Sequence, residues 1–107
     1  MNNINEIKDL INNAKYEGSL EYFLEENEEL EDMQIEFIET LSSEEHRWFT
    51  IETNVYKFSK NNLEIGVLAI NEIGTIKSEM MGYEDCGIEL EAMNVKEIIK
   101  KSYEIIS

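Results

Sequence analysis

A sequence of 107 residues with 24 acidic and 9 basic side chains carries a formal net charge of −15, and 42% of its residues are apolar. That length is expected to fold as one domain over residues 1–107, and 15 isoleucines with 10 aromatics supply enough burial to exclude a disordered chain. The longest apolar runs, such as Val67-Leu68-Ala69-Ile70, fall far short of the roughly 20 residues that cross a bilayer, so no membrane span is expected.

In chain order, Ile4, Ile7, Leu10, Ile11 and Ala14 recur at helical spacing and predict an amphipathic helix over about residues 3 to 16. Gly18 is the expected left-handed stop, and Ser19 the cap of a second helix over about 19 to 30, with Leu20, Phe23 and Leu24 inward. From Met33 the period becomes two, and Met33, Ile35, Phe37 and Leu41 alternate with polar residues as in a half-buried strand. Ser42 to His46 reads as the connection to a strand over about Arg47 to Phe58, rich in β-branched and aromatic residues. Ser59-Lys60-Asn61-Asn62 has hairpin chemistry, Leu63 to Ile70 reads as a central strand, and Asn71 to Gly74 as a turn into a short strand at Thr75 to Glu79. Residues 80 to 87 read as a loop, and Ile88 to Ala92 as a further strand. Asn94 and Glu97 have the spacing of a capping box, which predicts a carboxy-terminal helix over about 95 to 106, with a continuing strand as the alternative. The expected architecture is α+β: two amino-terminal helices, an antiparallel sheet of four to five strands, and that last element.

The residue types that carry catalysis are scarce. His46 is the only histidine and Cys86 the only cysteine; together they outline a small enzyme or nucleotide-binding module only if the fold brings them side by side. One His and one Cys do not fill a zinc site, the acidic stretch from Glu25 to Glu36 lacks the glycine of an EF-hand loop, and the glycines match no phosphate-cradling motif. No enzyme activity, metal or cofactor is expected. The lone cysteine permits no intrachain disulfide, and Met1-Asn2-Asn3-Ile4-Asn5-Glu6 has none of the features of a secretory signal, which points to the cytoplasm.

The negative charge is concentrated. Residues 1–53 hold 15 acids and 3 bases, and Glu17 to Glu45 holds 12 acids with no Lys or Arg. Glu21, Glu25, Glu28, Glu29, Asp32, Glu36, Glu39, Glu44 and Glu45 are the candidate partner-binding residues, spaced regularly along a helix and a strand. Tight nucleic-acid binding needs Lys or Arg against phosphate, so no direct nucleic-acid contact is expected; a basic protein channel built for nucleic acid is the partner this ladder of carboxylates fits. Solubility alone is the competing reading. Among the aromatics, Trp48 and Tyr22 are expected in the core, and Tyr83, in the glycine-flanked loop, is expected to touch the partner. An edge strand could also pair with a second copy to give a homodimer.

His46-Arg47-Trp48-Phe49-Thr50, Asn54-Val55-Tyr56-Lys57, Ser78-Glu79-Met80-Met81 and Asp85-Cys86-Gly87 carry a resemblance over about the last sixty residues. They resemble small uncharacterised acidic proteins encoded by phages of low-GC bacteria. That resemblance implies an anti-defence role, of which anti-CRISPR proteins that imitate nucleic acid are one kind. The alternative with the same electrostatics is an immunity protein or antitoxin that neutralises a basic nuclease.

Overall fold

The structure is a computed structural model that describes residues 3–78, 82, 86–98 and 102–106. Its elements are helix α1 (Ile4–Ala14), helix α2 (Leu20–Glu26), a 3₁₀ turn η1 (Glu28–Leu30), and strands β1 (Gln34–Glu45), β2 (Phe49–Lys60), β3 (Leu63–Ile76), β4 (Glu91–Ile98) and β5 (Ser102–Ile105). The strands form an antiparallel meander in the order β1-β2-β3-β4-β5, so the domain is α+β with β3 at the centre. Asn61 and Asn62 both adopt positive φ, 54° and 67°, the pattern of the two-residue hairpin loop whose twist matches its flanking strands, and they close β2 onto β3.

One face of the sheet carries Phe58, Leu68, Ile70 and Ala92, and these meet Ile7, Ile11, Leu20, Phe23 and Leu30 from the helices in a single buried cluster. Burial of each large apolar side chain there contributes about 1.5–3 kcal/mol. Helix α1 begins at Asn3, whose side chain accepts a hydrogen bond from Glu6 N at 2.9 Å, and ends at Lys15, which takes the left-handed conformation at φ 50°. Gly18, the expected stop, does something else: at φ 146° its carbonyl accepts from Ile73 N at 3.2 Å and ties the interhelical loop to β3. The first turn of α1 lies so close to the sheet that a Cβ at Gly66 would stand 2.7 Å from Ile4 Cβ. At the other end of the helix, Asn12 imitates a strand, donating to Ala92 O at 3.1 Å and accepting from Ala92 N at 2.7 Å on the edge of β4 that β5 does not reach.

Several boundaries differ from the sequence reading. Helix α2 stops at Glu26, and Glu28–Leu30 tightens into 3₁₀, with Asn27 accepting from Glu29 N at 3.0 Å. Ser42 to Glu45 belong to β1, because they pair with Thr50 to Thr53 of β2. Asn71 to Gly74 is no turn: β3 runs on to Ile76 with Ile73 opposite Ile51, so no separate strand begins at Thr75, and Glu79 lies outside the described residues. The carboxy-terminal helix is replaced by strands. Asn94 and Met93 continue the ladder against Leu68 and Ala69, and Val95 to Ile98 pair with β5, so cross-strand hydrogen bonds override the local capping-box pattern.

Replacing Ile11, fully buried between α1 and the sheet, by alanine is expected to lower unfolding free energy by about 2–5 kcal/mol in urea denaturation. Leu63→Ala, at a position 72% exposed beside the hairpin loop, is the control and should shift it by less than about 0.5 kcal/mol.

Candidate functional site

The buried stripe Leu20, Phe23 and Leu30 fixes how α2 and η1 lie on the sheet, and the acids between those positions therefore face outward. Glu21, Glu25, Glu28, Glu29, Glu31 and Asp32 are all exposed, and among the described residues none of them has an ion-pair partner. Glu25, Glu28 and Glu31 stand around one open cleft floored by Leu24, Leu30 and Met33. Beside this pole, burial and then a hydrogen bond to the Glu26 carboxylate push the Tyr16 phenol above its ordinary range.

The acids on β1 have a different setting. Glu36 lies directly opposite Lys57 in the ladder and pairs with it at 3.3 Å, Glu44 contacts His46 Nε2 at 3.0 Å, and Glu45 lies 3.7 Å from Lys77. Glu39 is half-buried. The candidate surface thus divides into an unpaired pole on α2 and η1 and a partly neutralised edge strand. The sequence shows no base between Glu17 and Glu45, but Lys57 and Lys77 arrive from β2 and from just beyond β3.

A second acidic feature was not singled out from the sequence. Glu72 of β3 is only 3% exposed, and its carboxylate accepts from Leu20 N at 2.7 Å, from Asn54 Nδ2 at 2.7 Å and from the Tyr56 hydroxyl. Directly across the ladder stands Glu52, whose Oε1 accepts from Asn54 Nδ2 at 3.3 Å. Thr40 donates to Asn54 Oδ1 at 2.6 Å and so orients that amide. Burial, then the hydrogen bond to Glu72 and its charge, drive the Tyr56 phenol far above its usual value. Ser19, the residue before α2, makes no cap hydrogen bond and its hydroxyl is buried without a partner, while Glu72 takes the first helical N–H, that of Leu20. The available signal was the phase of β3, in which Glu72 follows Leu68 and Ile70 on the buried face.

Trp48 and Tyr22, expected in the core, are exposed instead. Trp48 sits in the turn between β1 and β2 with the Arg47 guanidinium 4.7 Å above its ring, and Tyr22 projects from α2. Tyr83 lies outside the described residues. His46 stacks on Phe49 at 4.8 Å and Cys86 lies 3.8 Å from Gly82 O; among the described residues no contact joins the histidine to the cysteine. No group of three His, Cys, Asp or Glu able to hold a metal ion occurs among the described residues, and no helix there is long and apolar enough to cross a membrane.

No protein-family model matches the chain, and no curated protein or solved structure is significantly similar to it.

Two variants test the Glu72 network. Glu72→Ala leaves the buried Leu20 N–H without an acceptor, at a cost of about 1–3 kcal/mol, and leaves the Asn54 amide only its longer bond to Glu52, so chemical denaturation should show a loss well above that of Glu52→Ala. The pH dependence follows from Tyr56: its folded state holds a proton that the unfolded chain releases near pH 10, so the contribution is complete below about pH 10 and falls as pH rises beyond it. Tyr56→Phe should flatten that alkaline decline in thermal unfolding; an unchanged decline would place its origin elsewhere.

Proposed function

We propose that this chain is a non-enzymatic inhibitor that binds a basic, nucleic-acid-handling protein in a bacterial cytoplasm, an anti-defence protein of the anti-CRISPR-like kind. The observation that carries this reading is that, among the described residues, no ion pair reaches the exposed acids Glu21, Glu25, Glu28, Glu29, Glu31 and Asp32. Carboxylates held regularly on a packed element, with no internal cation, project a negative field that speeds encounter with a Lys- and Arg-rich channel. A merely soluble surface has no need to separate its signs in this way. Glu36 and Glu45, already beside Lys57 and Lys77, and Glu44, beside His46, are supporting contacts at the rim, where exchange of one exposed ion pair for another contributes little affinity at the two lysine-paired positions.

An immunity protein against a basic nuclease has the same electrostatics and differs in its genetic neighbour, a toxin gene. A homodimer through β1 is the weaker variant of the surface reading, because its outer edge carries Glu36, Glu39, Glu44 and Glu45 and would set like charges together.

The deciding experiment is affinity capture from bacterial extract at low and high salt with the wild-type chain and with a variant carrying Glu25→Lys, Glu28→Lys, Glu29→Lys and Asp32→Lys. The expected outcome is a basic partner captured by the wild type, with association slowed and its salt dependence flattened in the variant. Capture of the same protein with unaltered kinetics by the variant would overturn the reading.

A further inference from the structure

Between the start of α2 and the β1–β2–β3 face lies a cleft of about 360 Å³. Its inner wall is Glu72, its side is Glu52, and Glu21 from the first turn of α2 reaches its lining, so three carboxylates surround it with no base among the lining residues. Glu52 and Glu72 stand directly opposite on neighbouring strands; Asn54 Nδ2 donates to both, at 3.3 and 2.7 Å, but a neutral amide offsets only part of the cost of opposing two like charges. The Glu52 carboxylate can lie over β3 at the edge of this cleft because residue 74 is glycine: a Cβ there would collide with that carboxylate and lie 2.7 Å from Thr50 Oγ1.

Two further observations point to a ligand. Ser19, nine-tenths buried, lines this cleft, and its hydroxyl has no hydrogen-bond partner although a buried polar group is ordinarily satisfied. Phe37, 55% exposed, forms another wall, edge-on to the Tyr56 ring at 5.9 Å. An uncovered aromatic face beside opposed carboxylates is an unfavourable surface to leave to water.

We propose that this cleft takes one arginine side chain of a basic protein partner. The inference rests on the reading of the chain as a binder of such a protein and names the contact that would anchor it. A guanidinium is planar, carries five N–H donors and stacks on aromatic rings, so it can meet the Glu52 carboxylate with two parallel hydrogen bonds, lie against Phe37 and offer a donor toward Ser19. A lysine ammonium has neither the fork nor the plane. A divalent cation is disfavoured because no metal-holding group of three ligating side chains occurs among the described residues. Glu72 remains engaged with Leu20, Asn54 and Tyr56 and acts through its charge.

The test uses the full chain, isotope-labelled, titrated with N-acetyl-arginine amide and separately with N-acetyl-lysine amide while amide resonances are followed. Saturable shifts at Leu20, Phe37, Glu52 and Asn54 are expected from the arginine compound, with weaker binding of lysine. Glu52→Gln should weaken arginine binding about tenfold, the equivalent of one lost charged hydrogen bond. Gly74→Ala, which displaces the same carboxylate, should do likewise, and Glu64→Gln should have no effect. Equal response to both compounds, shifts confined to α2 and η1, or unchanged binding in Glu52→Gln would each overturn the proposal. Capture experiments separate it from the broader reading. If Glu52→Gln captures the basic partner as the wild type does while the four-lysine variant does not, the arginine cleft is wrong and the acidic pole stands. If the four-lysine variant captures normally and Glu52→Gln does not, the pole is wrong and the cleft stands.

Discussion

Burying a carboxylate in a domain this small is costly unless every lone pair facing the interior finds a donor, and at Glu72 three neutral donors do this from two different layers. Leu20 N belongs to the helical layer, whereas Asn54 and Tyr56 belong to the sheet, so satisfying one charge sets the position of α2 over β2 and β3. The Gly18 to Ile73 hydrogen bond sits two residues before Leu20 and one after Glu72 and reinforces the same junction. Everything placed by α2 then inherits its position from this point: the acidic pole, the uncapped Ser19 and the mouth of the Glu52 cleft.

The charge of −15 therefore has internal structure. Part is tied up in cross-strand and end-of-strand pairs on β1, part is held on α2 and η1 with no ion-pair partner among the described residues, and one carboxylate, Glu72, joins the helical layer to the sheet. These populations respond differently to salt. The exposed unpaired acids act over a Debye length and are screened, while Glu72 is shielded from ions by its own burial.

Local physics was legible and long-range physics was not. The α1 stripe, the Ser19 cap position, the Asn61-Asn62 turn and the central place of β3 all follow from spacing and turn chemistry within a few residues. After Asn94 the capping-box spacing, a local signal, favours a helix over the alternative of a continuing strand; the structure has the strand, because the ladder with Leu68 and Ala69 that overrides the local signal comes from residues some 25 positions earlier. Asn71 to Gly74 has the composition of a turn, yet Glu72 faces the core, paired to groups 16, 18 and 52 residues away. The acidic surface could be read as composition; that Lys57 and Lys77 would neutralise only its β1 half could not, since the register that brings them there is a property of the whole sheet.

The meander has a geometric result of its own. Neighbouring strands rotate by roughly 20–25° from one to the next, so across the four steps from β1 to β5 the rotation accumulates to roughly a right angle. A flat partner can lie along the β1 end or along the β5 end, but not along both. The pole on α2 and the mouth of the Glu52 cleft lie toward the β1–β2–β3 end, so one planar docking face could engage both while the other end of the sheet points away from it.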